Sequence, residues 1–275
     1  MLKENTHISG ILLFLLIGLC CFTACDDESG GQVVRSNLQE FTPQQNQEIG
    51  AAINEYIKGN PQLYPQLDRS NHSDVYAYLD QLFNMLAYTS PVKNRIYFDW
   101  RITVLKDDLQ TAAFSAPGGY LYIYTGLLKL LESESELLSL LGHEMSYIDE
   151  GIVTEALKDE FGGFVLADII LENEVPLIGD MADYLPTVMP SEEMVMQADS
   201  FSIALICPFN YEASSMKRFL ENLRKNEMAH QVDWLKVRPG DLVDRIDQIE
   251  INAQSCGITD GRFVERYLNF RSKLP

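Results

Sequence analysis

The segment from Ser133 to Tyr147 constrains this chain more than any other. Ser133-Glu134-Ser135-Glu136 has the spacing of a capping box, in which the serine and the second glutamate satisfy free backbone N–H groups and start a helix. Leu137, Leu138, Leu140 and Leu141 follow at once and give that helix a buried apolar face. The same helix then carries His143-Glu144-Met145-Ser146-Tyr147. A histidine and a glutamate are thus delivered side by side on a buried helix, and the rest of the fold has to be built around them.

Residues four apart share a helix face, so the pattern His-Glu-x-x-His aims two imidazoles at one zinc ion while the glutamate serves as general base. Here Tyr147 stands at the second imidazole position. On its own, an isolated His-Glu pair near a helix end is an ordinary feature. The context has to decide what it means.

With 275 residues, 46% of them hydrophobic, the chain can bury one sizeable core. A net charge of -19, with no local cluster of Lys and Arg to reverse it, argues against nucleic acid as a partner and against adsorption to anionic lipid. Membrane association would therefore need an anchor. Lys3, the apolar run Ile11 to Leu19 and the small residues before Cys25 read as a secretory signal, and Phe22-Thr23-Ala24-Cys25 resembles a bacterial lipobox with Cys25 as the lipidated residue. The apolar run is shorter than the roughly 20 residues that span a bilayer. The expected organisation is a lipoprotein signal peptide over 1–25, an acidic tether over 26–41 and one domain over 42–275, in the bacterial cell envelope. Of the cysteines, Cys207 and Cys256 remain in that domain; the compartment permits a disulfide, and two unpaired buried thiols are the alternative.

Thr42-Pro43 is an N-cap followed by proline at the first helical position, and it opens a helix through Tyr56. Val75, Tyr78, Leu79, Leu82, Phe83 and Leu86 repeat at helical spacing. From Ile96 to Val104 the period changes to two, which predicts a half-buried strand. Ala113 to Gly119 leads into Tyr120-Leu121-Tyr122-Ile123-Tyr124, and proline with two glycines suits an edge or a bend. The tyrosine face reads as a partly wet sheet surface or, more sharply, as the rim of a peptide groove. Helices are expected again from Ile152, interrupted near Leu185 to Pro190, then over Ser191–Ile206, Ala213–Asn226 and Leu242–Ile251. The fold class is α+β, mostly helical, with a small sheet.

Ala113-Phe114-Ser115-Ala116-Pro117-Gly118-Gly119-Tyr120, Tyr124-Thr125-Gly126-Leu127-Leu128, Leu141-Gly142-His143-Glu144 and Ala198-Asp199, in that order, resemble metallopeptidase family forty-eight. The resemblance covers roughly Gln44 to Ile251. It implies a zincin-like domain with an edge strand beside the motif helix, a peptide groove at Pro117, Gly118, Gly119 and Tyr120, zinc as cofactor, and protein or peptide clients in the envelope. It makes His143 a zinc ligand, Glu144 the general base, and Asp199 and Arg245 the residues supporting them. Tyr147 and Val195 fall where the family has its other two ligands, a histidine and a glutamate. Arg238-Pro239 replaces a His-Pro pair, and Ala112 an asparagine.

Catalytic zinc usually takes three protein ligands and a water, and this set retains one. Glu192 lies one turn before Val195 and Glu150 two turns after His143, and either could be asked to rescue the site. Neither shift is absorbed easily when metal distances tolerate about 0.2 Å. His72 and His230 lie in polar segments. The preferred reading is a catalytically degenerate peptidase, with a buried imidazole bonded to Tyr147 or Asp199 and Glu144 neutral or solvated. The alternative is an active endopeptidase with a non-standard ligand set.

Overall fold

Thr42 and Gln45 close a capping box in which each side chain accepts the other's backbone N–H, and Pro43 follows at the first position. They start α1 (Pro43–Gly59), with Ile49, Ile53 and Ile57 on its buried side. The computed structural model describes residues 40–275 except Glu172, Glu174, Pro239, Ile258 and Thr259. The signal segment, Cys25 and most of the tether lie outside the described residues.

After α2 (Ser73–Ala87) come β1 (Arg101–Leu105), β2 (Ala113–Ala116) and β3 (Tyr120–Tyr124), which form a sheet of order β1-β3-β2. β3 is central, parallel to β1 and antiparallel to β2. The strand expected from Ile96 begins five residues later. Asp149 accepts from the backbone N–H groups of Lys93 and Asn94, and Asn94 in turn accepts from Tyr97 and Phe98, so the chain is committed to turns there and Ile96 is left exposed. Alternation of apolar residues alone could not reveal that competing hydrogen bonding.

Both faces of the sheet are buried. Ile102, Val104, Leu121 and Ile123 pack on the leucines of α2 and of the motif helix, α4 (Glu134–Asp149), which follows a short α3 (Thr125–Leu130). Phe114, Tyr120 and Tyr122 face α1 instead. The partly wet tyrosine face is therefore not found. Tyr122 is fully buried and donates to Asn54 Oδ1 at 2.9 Å, while Tyr120 accepts from Gln47 at 3.1 Å. The α1 side chains satisfy the hydroxyls that an amphipathic reading assigns to water.

Pro117-Gly118-Gly119 is a tight 3-10 turn between β2 and β3, buried beneath α1. A Cβ on Gly50 would lie 1.8 Å from the Pro117 carbonyl oxygen, so the helix and the turn are in backbone contact. The expected peptide groove at Pro117, Gly118, Gly119 and Tyr120 is thus contradicted: these residues form part of the core. β2 lies at one margin of the sheet, beside α4, and β1 at the other.

The chain continues through α5 (Ile152–Phe161), α6 (Gly163–Ile170) and α7 (Ile178–Tyr184) to a 3-10 turn over Leu185–Thr187, then α8 (Glu192–Ile206). α9 (Ser215–Lys225), α10 (Asp233–Lys236), α11 (Leu242–Ala253) and α12 (Val264–Arg271) complete the described elements. α4 and α8 lie against each other, and Gly142 permits it: a Cβ there would sit 2.9 Å from Ser202 Oγ. Ser202 uses that proximity to donate to the Ser139 carbonyl at 2.8 Å. Cys207, at the end of α8, forms a disulfide with Cys256 beyond α11, resolving the alternative left open by the sequence.

Candidate functional site

The close approach of α4 and α8 puts His143 beside Asp199. His143 is fully buried, with Nδ1 2.7 Å from Asp199 Oδ1 and Nε2 2.8 Å from the Tyr147 hydroxyl. Burial alone would raise the Asp199 pKa, but Arg245 and His143 outweigh it and hold the carboxyl down to about 2. Arg245 supplies two of those bonds, Nε to Oδ2 at 2.6 Å and Nη2 to Oδ1 at 2.9 Å. An ionised carboxylate only accepts, so His143 donates from Nδ1 and its Nε2 is the bare nitrogen. Tyr147 must then donate to Nε2. Burial pushes the imidazole pKa down and the phenol pKa well up, which keeps both groups neutral and suited to that bond.

Glu144 points to the other side of the helix end and is equally enclosed. Its Oε2 accepts from Ser115 Oγ on β2 at 2.8 Å, and its Oε1 accepts from Trp234 Nε1 on α10 at 2.7 Å. Arg238 also donates to Oε1 and forms an ion pair with the carboxylate, both side chains being buried. The expectation of a solvated Glu144 is therefore corrected: its carboxyl is buried among these donors. The guanidinium of Arg238 lies 5.0 Å from the Tyr147 ring centroid and 5.3 Å from that of Trp234, and Arg245 lies 5.4 Å from Trp234. Trp234 meets the His143 ring edge-on at 5.1 Å. Two cations and two carboxylates thus share one aromatic enclosure.

Zinc chemistry needs several N, O or S donors converging on one point at about 2.0–2.3 Å. Nε2 of His143 is taken by Tyr147, Val195 is apolar and packed, and both Glu144 oxygens are already hydrogen-bonded. Among the described residues no group of three or more His, Cys, Asp or Glu side chains could hold a metal ion. The donor set does not fit zinc. Nor does the structure bring Glu192 in: it is exposed at the start of α8, its side chain near Gly240. Glu150 pairs with Lys93 at the surface, and His72 and His230 serve at a helix start and an exposed turn.

The cleft between β2 and α4 is also closed. Leu185, Pro186, Val188 and Pro190 cover it from the segment before α8, facing Ser115, Glu144, Tyr147 and Arg238 across a cavity of about 10 Å³. That is room for about one water molecule. A cleft of about 530 Å³ lies at the C-terminal end of α4, just past the motif, bounded by Asn46, Asn94, Asp149 and Thr154, and none of the motif residues lines it.

Residues 73–167 match the model of Peptidase family M48. This segment, about a third of the chain, is similar to peptidase family M48. The chain is 23% identical over 141 residues to the mitochondrial metalloendopeptidase OMA1 of Arabidopsis thaliana, covering 51% of this chain and 29% of that protein. It is 24% identical over 163 residues to a Vibrio cholerae protein named as a beta-barrel assembly-enhancing protease, covering 53% of this chain and 32% of that protein. The chain thus spans about a third of the length of these curated relatives. Family M48 is zinc-dependent, and the segment matching its model supplies the sheet and the motif helix. Asp199, Trp234, Arg238 and Arg245 lie beyond that segment.

Sequence reasoning paired His143 with Asp199 or Tyr147, and the structure uses both partners. It missed Ser115 and Trp234. Ser115 sits in a segment that reads as an edge or a bend, and Trp234 is 90 positions from Glu144 with no periodic signal to link them. Arg238 was visible as a departure from the family's histidine, but its ion pair with Glu144 was not.

Proposed function

We propose that this chain is a catalytically degenerate member of family M48: a lipid-anchored envelope protein that binds protein or peptide clients without hydrolysing them. The observation that carries this reading is the Tyr147 hydroxyl on His143 Nε2. A metal needs that lone pair, and here an intramolecular donor occupies it. The apolar Val195 and the closed cleft support the same conclusion, since one ligand position offers no donor atom and no space for a substrate remains beside Glu144. The Vibrio relative's name and the lipobox-like segment before Cys25 support the envelope. Among the described residues no helix is long and apolar enough to cross a membrane. Clients would dock on surfaces outside the closed motif cleft.

Metal analysis and casein hydrolysis by the purified mature chain test the proposal. The expected result is zinc well below one equivalent per chain and no cleavage. One tightly held zinc with cleavage abolished in Glu144→Gln would overturn it and establish an endopeptidase with a non-standard ligand set.

A further inference from the structure

We propose that Arg238 is the resident cation of this site, a guanidinium that takes over the electrostatic place of a metal ion and holds the motif cleft shut. The inference rests on the metal-free reading above. Three departures from the family pattern act on one another in the structure. Tyr147 caps the lone pair of His143, Val195 removes a carboxylate, and Arg238 brings a positive charge to the carboxylate that remains at the motif, Glu144.

The charges balance. Arg238 pairs with Glu144 and Arg245 pairs with Asp199. A buried carboxylate without a counter-charge is strongly unfavourable, so a motif glutamate kept after its metal is lost needs a new cation. Arg238 is suited to that position because its planar guanidinium can stack on rings while donating in its own plane. It does both, facing the Tyr147 and Trp234 rings and bonding Glu144. Arg238 also lines the residual cavity opposite Leu185 and Pro190, so the same side chain that neutralises Glu144 forms a wall of the closed cleft. A divalent cation entering beside Glu144 would have to displace it against direct repulsion.

A double-mutant cycle on Glu144→Gln and Arg238→Gln, read by urea unfolding in EDTA, tests this separately from the zinc content of the wild type. Removing Arg238 alone should lower the folding equilibrium constant by roughly 100-fold or more, because it leaves Glu144 buried and unpaired. The double variant should recover at least about 10-fold of the summed losses. Additivity within about 2-fold would overturn the proposal. Where a single variant does not fold, zinc titration of Tyr147→His/Val195→Glu with and without Arg238→Gln provides the second measurement. At least 10-fold tighter binding when Arg238 is replaced supports the proposal, and equal affinity overturns it.

Discussion

Replacing Tyr147 by phenylalanine isolates the bond on which the functional reading depends. Tyr147 is 3% exposed, and its hydroxyl lies 2.8 Å from His143 Nε2. Phenylalanine keeps the ring that faces Arg238 and packs with Val153 and Ala198, so little changes except the loss of the donor. Nε2 is then a buried acceptor without a partner, at a cost of about 1–3 kcal/mol. For a chain of this size, each kcal/mol shifts the melting temperature by about 2–4 °C, which gives a drop between about 2 and 12 °C. Urea unfolding would read this as a lower midpoint at unchanged slope. Long-range proton–nitrogen NMR on the wild type would show a neutral His143 with the proton on Nδ1. A Tyr147→Phe variant within about 0.5 kcal/mol of wild type would refute the reasoning, since surface-like substitutions fall in that range. So would a spectrum placing the proton on Nε2.

Three further outcomes follow from the same structure. Asp199 has its pKa held down to about 2 from 3.8, so its contribution of roughly 2 kcal/mol is present above about pH 4 and is lost as pH falls toward 2. His143 has its pKa lowered by burial, so the unfolded chain takes up a proton near pH 6.5 that the folded chain refuses, and stability declines as pH falls through that value. Unfolding free energies measured from pH 4.5 to 7.5 should rise with pH, and His143→Gln should remove up to about 1.4 kcal/mol per pH unit of that slope; an unchanged slope would count against it. Alanine at Gly50 should destabilise by at least about 3 kcal/mol, although alanine ordinarily favours a helix interior by about 1 kcal/mol, because its Cβ would meet the Pro117 carbonyl at 1.8 Å. A neutral or stabilising Gly50→Ala in thermal denaturation would show that the contact between α1 and the turn is loose.

The sequence by itself determined the helices and the ancestry. The capping box at Thr42, the serine caps at Ser133 and Ser191 and the 3.6-residue stripes are local signals, and the helices they predict are formed within a few residues of their expected ends. It also showed that Tyr147 and Val195 stand where the family has ligands, and that valine offers no donor atom. Where a local signal met a distant partner, the reading failed. Asp149 reaches back to Lys93 and Asn94 and shortens the strand, and α1 buries the tyrosines and the Pro-Gly-Gly turn that looked open.

Only the tertiary structure decided what became of the motif. His143 and Glu144 are neighbours in the chain, yet their partners Asp199, Trp234 and Arg238 come from elements 56, 90 and 94 positions away. Which buried carboxylate meets which guanidinium depends on how α4, α8, α11 and the turn after α10 pack, and side-chain charge in a sequence carries no address. Loss of the ligands was legible residue by residue, whereas their replacement by a closed and charge-balanced network is a property of the folded core.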